Sequence, residues 1–187
     1  MKKRIVLFAS GGGTNAENII RFFQDSEQVD VCSVFCNKKG AGVIDRADHL
    51  SVPVRVFSRD EFKNGVITKE LQEISPDLIV LAGFLWLIPE DLIKKFPNKI
   101  INIHPALLPN YGGKGMYGMK VHEAVVQNQE KYSGISIHYV NQFFDEGEIL
   151  FQAKTDLEQG ETPESLAEKI HMLEYEHFPE VIATLLK

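Results

Sequence analysis

An amide and an imidazole close the apolar run KIINIHPALLP, Lys99 to Pro109: Asn102 and His104 follow Ile100 and Ile101 and stand two positions apart. On an extended chain that spacing puts both side chains on one face, about 6–7 Å apart at about 3.3 Å per residue. Two hydrogen-bonding groups so placed can grip one small reacting group between them. The alternative is a satisfied polar pair that merely ends a core strand. Asp145, in FFDEGEI, is the carboxylate that could join them. An apolar setting raises a lone carboxyl's pKa, whereas a nearby imidazolium holds it ionised and raises the histidine's in turn. D-E-G alone is also ordinary turn chemistry. His138, in GISIHYV, shares a face with Ser136; it is a second candidate, read more readily as a structural hydrogen-bonding histidine.

Two further places are out of pattern. In ASGGGTNAENII, Gly11, Gly12 and Gly13 are expected to free the backbone for positive φ and to let N–H groups approach an anion, while Thr14 and Asn15 sit at a helix start whose dipole favours negative charge. A phosphate is the natural guest, and a tight turn without a ligand the alternative. The turn is neither a dinucleotide fingerprint, which needs G-x-G-x-x-G, nor a Walker motif, which needs Lys-Ser or Lys-Thr. On the last helix, Ala167, Ile170, Phe178 and Val181 trace an apolar stripe into which Glu174 falls. That carboxylate either pairs with a cation at the core boundary or reaches for hydroxyls. The six histidines show no metal-ligand spacing, and no G-x-S-x-G is present, so metal and serine-nucleophile chemistry have no support here.

These residues need a scaffold, and the hydrophobic pattern supplies one. Strand-like runs at 4–9, 29–36, 52–57, 77–82 and 99–104 alternate with helical segments at 15–25, 41–50, 60–74 and 89–96. Such alternation indicates βαβ units and a mostly parallel sheet covered on both faces, a Rossmann-like α/β layer structure. Beyond Pro105 come a glycine-rich loop, a helix near 119–128, and strands at 132–140 and 148–157 joined too closely for a crossover, so the sheet is expected to become mixed. A final helix runs from Pro163 to Lys187, capped by Thr162. Ligands in open α/β sheets collect at the carboxyl ends of the strands.

The 187 residues fit one domain, 1–187, with enough chain for a substantial core. Acidic side chains outnumber basic ones 26 to 20, a formal charge of −6 that disfavours a nucleic-acid surface. No apolar run reaches the length of a membrane span, and the short apolar stretch near the N-terminus reads as a first strand instead of an export signal. Cys32 and Cys36 are expected on one face of a strand, too far apart to bond, as reduced core thiols of a cytoplasmic protein.

With the glycine turn, NIHPALLP, GISIHYV and the D-x-G loop in that order, the chain resembles the folate-dependent formyltransferases over essentially its whole length. SGGGTN and the end of the chain near residue 187 narrow the resemblance to the branch acting on glycinamide ribonucleotide. The resemblance implies a formyltransferase fold and 10-formyltetrahydrofolate as co-substrate. It implies catalysis by Asn102, His104 and Asp145, and a ribosyl phosphate on Gly11, Gly12, Gly13, Thr14 and Asn15. Glu174 would bind the ribose hydroxyls. The pterin would be enclosed by Leu85, Trp86, Leu87, Ile88 and Asn102 with Asn141, Gln142, Phe143, Phe144 and Asp145, largely through backbone groups. Trp86 and Asn64 stand where many members carry basic residues, and the glycine-rich segment 110–120 is expected to act as a flap. A formyltetrahydrofolate hydrolase and a non-catalytic phosphate-ligand binding module are the alternatives.

Overall fold

A computed structural model describes residues 1–187. The chain runs β1 (Lys3–Ala9), α1 (Thr14–Phe23), β2 (Val29–Cys36), α2 (Gly42–His49), β3 (Val54–Val56), α3 (Arg59–Lys63), α4 (Val66–Ile74), β4 (Leu78–Leu81), α5 (Glu90–Lys95), β5 (Ile100–His104), α6 (Met119–Gln127), β6 (Tyr132–Tyr139), β7 (Ile149–Asp156) and α7 (Pro163–Leu185). One seven-stranded sheet has the order β3-β2-β1-β4-β5-β6-β7. It is parallel from β3 to β5, and β6 and β7 add antiparallel, as the short link between them demands.

Alternation along β1 divides the core. Ile5, Leu7 and Ala9 face a cluster of 25 buried residues shared with α1, α2, α6 and α7, while Val6 and Phe8 face one of 14 shared with α3, α4 and α5. Both faces of the sheet are covered, which is why β1 reads as a continuous apolar run. The smaller cluster is rich in aromatic rings: Phe8 stacks on Phe35 with centroids 5.2 Å apart and meets Phe84 edge-on at 5.2 Å. That packing anchors the loop after β4. No helix is long and apolar enough to cross a membrane.

Two expectations about these elements are corrected. The helix anticipated over 60–74 is two helices, because Asn64 ends α3 and Gly65 turns the chain at φ 75° before α4 begins. Arg55 ties the pair together, reaching Glu61 at 2.6 Å and Glu70 at 2.7 Å. Cys32 and Cys36 do not share a face. Val31 pairs with Ile5 and Ser33 with Val6, so Cys32 is an extra residue in a β-bulge and the parity of the strand reverses there. Cys36 enters the larger core, whereas Cys32 turns to the other face and accepts from Arg4 Nε at 3.3 Å.

The strand order reverses between β1, which feeds β2, and its other neighbour β4. Loops leaving β1, β4 and β5 therefore open around one crevice at their carboxyl ends.

Candidate active site

A cavity of about 650 Å³ occupies that crevice, lined by the turn after β1, the loop after β4, the end of β5, the loops before α6 and after β6, and one face of α7. Its first wall is the glycine turn. Gly13, at φ 77°, caps α1, and a Cβ there would run into Val43. Gly11 and Gly12 have ordinary φ values, and a Cβ on either would meet nothing. The expectation that all three glycines serve positive φ is thus corrected to Gly13 alone. Neither packing nor backbone geometry requires glycine at 11 and 12, which leaves bare backbone facing the cavity. The first bond within α1 runs from Glu17 N to Gly13 O at 2.8 Å, so the N–H groups ahead of it have no intrahelical partner. The turn is held from behind: Val43 N donates to Gly11 O at 3.1 Å, and Arg46 Nε donates to Gly12 O at 2.9 Å while its guanidinium pairs with Glu17.

Glu174 stands beside this turn, only 6% exposed, and accepts from Asn15 Nδ2 at 2.8 Å. No cation pairs with it. Burial holds its carboxyl above the ordinary range, with Asn15 and His171 opposing. Asn15 Oδ1 is buried without any partner. Both are acceptors, so a ligand offering two hydroxyls would satisfy them at once, one O–H donating to the Glu174 carboxylate and the other to Asn15 Oδ1.

The opposite end is assembled from three segments. Asn102 and His104 come from β5, and the antiparallel register sets His138 of β6 directly across from Asn102 and Ser136 across from His104. Ser136 Oγ donates to Ala106 O at 2.7 Å and accepts from Leu108 N at 2.9 Å, which shapes the PALLP loop behind the histidine. Asp145 arrives on the loop between β6 and β7 in a left-handed conformation, φ 58°, and accepts from Gly113 N at 3.0 Å. A left-handed aspartate is mildly strained, and such strain collects at sites where geometry matters more than stability.

Hydrogen-bond partners fix the tautomers. His104 Nε2 lies 2.7 Å from the Tyr111 carbonyl, which can only accept, so that nitrogen carries the hydrogen. Its Nδ1 then turns a lone pair toward Asp145 Oδ2 at 3.5 Å. His138 is arranged the other way round: Nδ1 donates to Tyr139 O at 2.8 Å, and Nε2 accepts from Asn102 Nδ2 at 3.1 Å, 3.6 Å from Asp145 Oδ1. Asn102 Nδ2 also approaches Asp145 Oδ1 at 3.4 Å. A carboxylate faced by the bare nitrogens of two imidazoles is a set of acceptors without a proton among them.

Electrostatics agrees: burial outweighs Asp145, which does raise His104 as expected. His104 is only 3% exposed; burial pushes its imidazole below the ordinary range, and the attraction of Asp145 offsets this only in part. Burial would raise Asp145, but the neighbouring His138 and His104 and the Gly113 N–H together hold its carboxyl below the usual range. The resting pair is a neutral imidazole beside an ionised carboxylate.

Leu85, Trp86, Leu87, Ile88, Phe143, Phe144 and Asp145 line the cavity. The loop after β4 is pinned to the glycine turn by Ser10, whose N–H donates to Gly83 O at 3.0 Å and whose Oγ accepts from Leu85 N at 3.0 Å. Two expected lining residues stand elsewhere. Asn141 uses its Oδ1 to accept from Phe143 N at 2.9 Å and builds the turn, and Gln142 lines a smaller adjoining cavity with Arg59 and Lys63. Arg59 lies over the Trp86 ring, 5.5 Å from its centroid. Residues beyond those singled out in sequence also reach the main cavity, among them His122 and His171. Neither sits in a recognisable motif; the helical offset of three between His171 and Glu174 was the one available hint.

Comparison with known proteins places this arrangement in context. Residues 3–182 match the formyl transferase family. The chain is 40% identical over 191 residues to the chloroplastic phosphoribosylglycinamide formyltransferase of Arabidopsis thaliana, an alignment covering 98% of this chain and 65% of that protein. It thus spans slightly less than two thirds of that plant relative. It is 34% identical over 190 residues to the phosphoribosylglycinamide formyltransferase of Bacillus subtilis (strain 168), covering 98% and 95%. Among solved structures, glycinamide ribonucleotide transformylase 1 from Geobacillus kaustophilus superposes with a TM-score of 0.91 at 34% identity, covering 100% of both chains.

Proposed function

The chain belongs to the formyl transferase family, and within it we propose that this protein moves the formyl group of 10-formyltetrahydrofolate to the primary amine of glycinamide ribonucleotide, a step of purine biosynthesis. One formyltransferase domain spans 1–187 in this reading. The glycine turn and Glu174 hold the acceptor's phosphate and ribose, and the loops at 85–88 and 143–145 hold the folate. The observation that carries the reading is the meeting of Asn102, His104, His138 and Asp145 over the same cavity that reaches Gly11 to Asn15 and Glu174.

Attack of the amine on the formyl carbon places negative charge on the formyl oxygen and positive charge on the attacking nitrogen. The Asn102 amide N–H stabilises the first, joined by His104 once its bare Nδ1 has taken up a proton; losing one such donor commonly costs about 10²–10³ in rate. The second charge leaves as a proton, and the cluster is built to receive it, because Asp145 and the bare nitrogens of two histidines are acceptors only. His104, held below its ordinary pKa by burial, gives that proton up readily once it has it. The proton passes to N10 of the departing folate, directly or through water. No covalent enzyme intermediate forms.

The test is to mix the protein with 10-formyltetrahydrofolate, with and without glycinamide ribonucleotide, and follow tetrahydrofolate release. Release that requires the nucleotide is expected. Release without it would point to a hydrolase, and none under either condition to a binding module.

A further inference from the structure

His122, on the first turns of α6, is a polar side chain that the fold does not use. It is only 3% exposed, its Nδ1 is buried with no hydrogen-bond partner, and no protein group bonds its Nε2. A buried polar nitrogen without a partner costs about 1–3 kcal/mol, so such a residue in a core needs a reason. His122 also lines the main cavity. Burial pushes its pKa down to about 4, and the neighbouring His171 and His104 further disfavour a proton on it. At neutral pH the ring is therefore uncharged, with one N–H to donate and one lone pair to accept.

Its position decides what it could bond. His104 marks the end of the cavity where formyl transfer is placed, and His171 stands one helical turn from Glu174, at the sugar end. What spans the interval in glycinamide ribonucleotide is the amide, one N–H and one carbonyl, the two complements of a neutral imidazole. Building on the function proposed above, we infer that His122 is a positioning residue for the acceptor, hydrogen-bonded to its glycinamide amide and setting the reach of the amine toward the formyl carbon. The lysine and glutamate neighbours on α6, Lys120 and Glu123, do not line the cavity. They cannot substitute for it.

The experiment replaces His122 with Leu, which matches its bulk without polar atoms, and with Gln, which restores a donor and an acceptor. In His122→Leu, KM for glycinamide ribonucleotide should rise about 10- to 100-fold, KM for 10-formyltetrahydrofolate should stay within about twofold, and the melting temperature should not fall. His122→Gln should recover most of the loss. Ribose 5-phosphate, which has the sugar and phosphate but no amide, should inhibit the wild type and His122→Leu with the same inhibition constant. A nucleotide KM unchanged in His122→Leu would overturn the assignment, as would weaker inhibition by ribose 5-phosphate in parallel with the nucleotide, since that means a general distortion of the sugar end. Wild-type protein that neither binds nor formylates glycinamide ribonucleotide would instead take down the function on which the assignment rests.

Discussion

The two ends of the cavity are built on different plans. In the proposed function the nucleotide end is one continuous piece of chain, Gly11 to Asn15, offering backbone N–H donors, with a single distant carboxylate from α7. The transfer end contains no comparable run: Asn102 and His104, His138 and Asp145 lie on a strand, its antiparallel neighbour and the following loop. The difference reflects what each end must do. Holding an anion needs fixed dipoles, which a turn and a helix start provide locally. Moving a proton needs side chains whose affinities are set by burial and by one another, and only non-local packing supplies that.

The largest expected effect falls on the transfer end alone. Asp145→Asn removes the charge from the acceptor set and should lower kcat by about 10³ or more, with the dissociation constant of glycinamide ribonucleotide, by calorimetry, nearly unchanged. Equal damage to nucleotide binding would mean that the two ends are not separable. The next concerns His122, which joins them. In the unfolded chain a histidine takes its proton near 6.5, but here it resists until about pH 4, so between those values the unfolded state binds more protons and stability falls as pH falls. At about 1.36 kcal/mol per unit this amounts to about 3 kcal/mol lost by pH 4, with His104 adding in the same direction. Urea midpoints across that range should show the slope, and His122→Leu should flatten it.

Within the glycine turn the two kinds of glycine should separate. Gly13→Ala forces a side chain into a left-handed position against Val43 and should cost about 2 kcal/mol in thermal unfolding. Gly11→Ala should leave stability within about 0.5 kcal/mol yet raise the nucleotide KM, because its Cβ occupies ligand space alone. The smallest effect is expected of Arg46→Ala. Its guanidinium is partly exposed, with side-chain accessibility 42%, and it steadies Gly12 from behind, so stability should change by less than about 1 kcal/mol and nucleotide KM by a few-fold. A larger rise in KM would show that the turn depends on α2 for its shape.

Much of this was legible in the chain itself. The alternation of β-branched runs with helical periods specified a mostly parallel sheet that turns mixed, because strand and helix periods are properties of contiguous residues. The glycine turn was legible for the same reason, and Asn102 and His104 could be assigned to one face from parity alone. What tertiary structure decided was every relation between segments. The bulge at Cys32 reversed a parity that spacing had implied, and the split at Gly65 broke a helix whose apolar period ran straight through it. The β5–β6 register set His138 against Asn102 and made it part of the cluster, where its own strand offered only a buried histidine. Desolvation then outweighed the attraction of Asp145 and left His104 neutral, an outcome set by how many atoms surround a ring and not by which residues flank it in sequence.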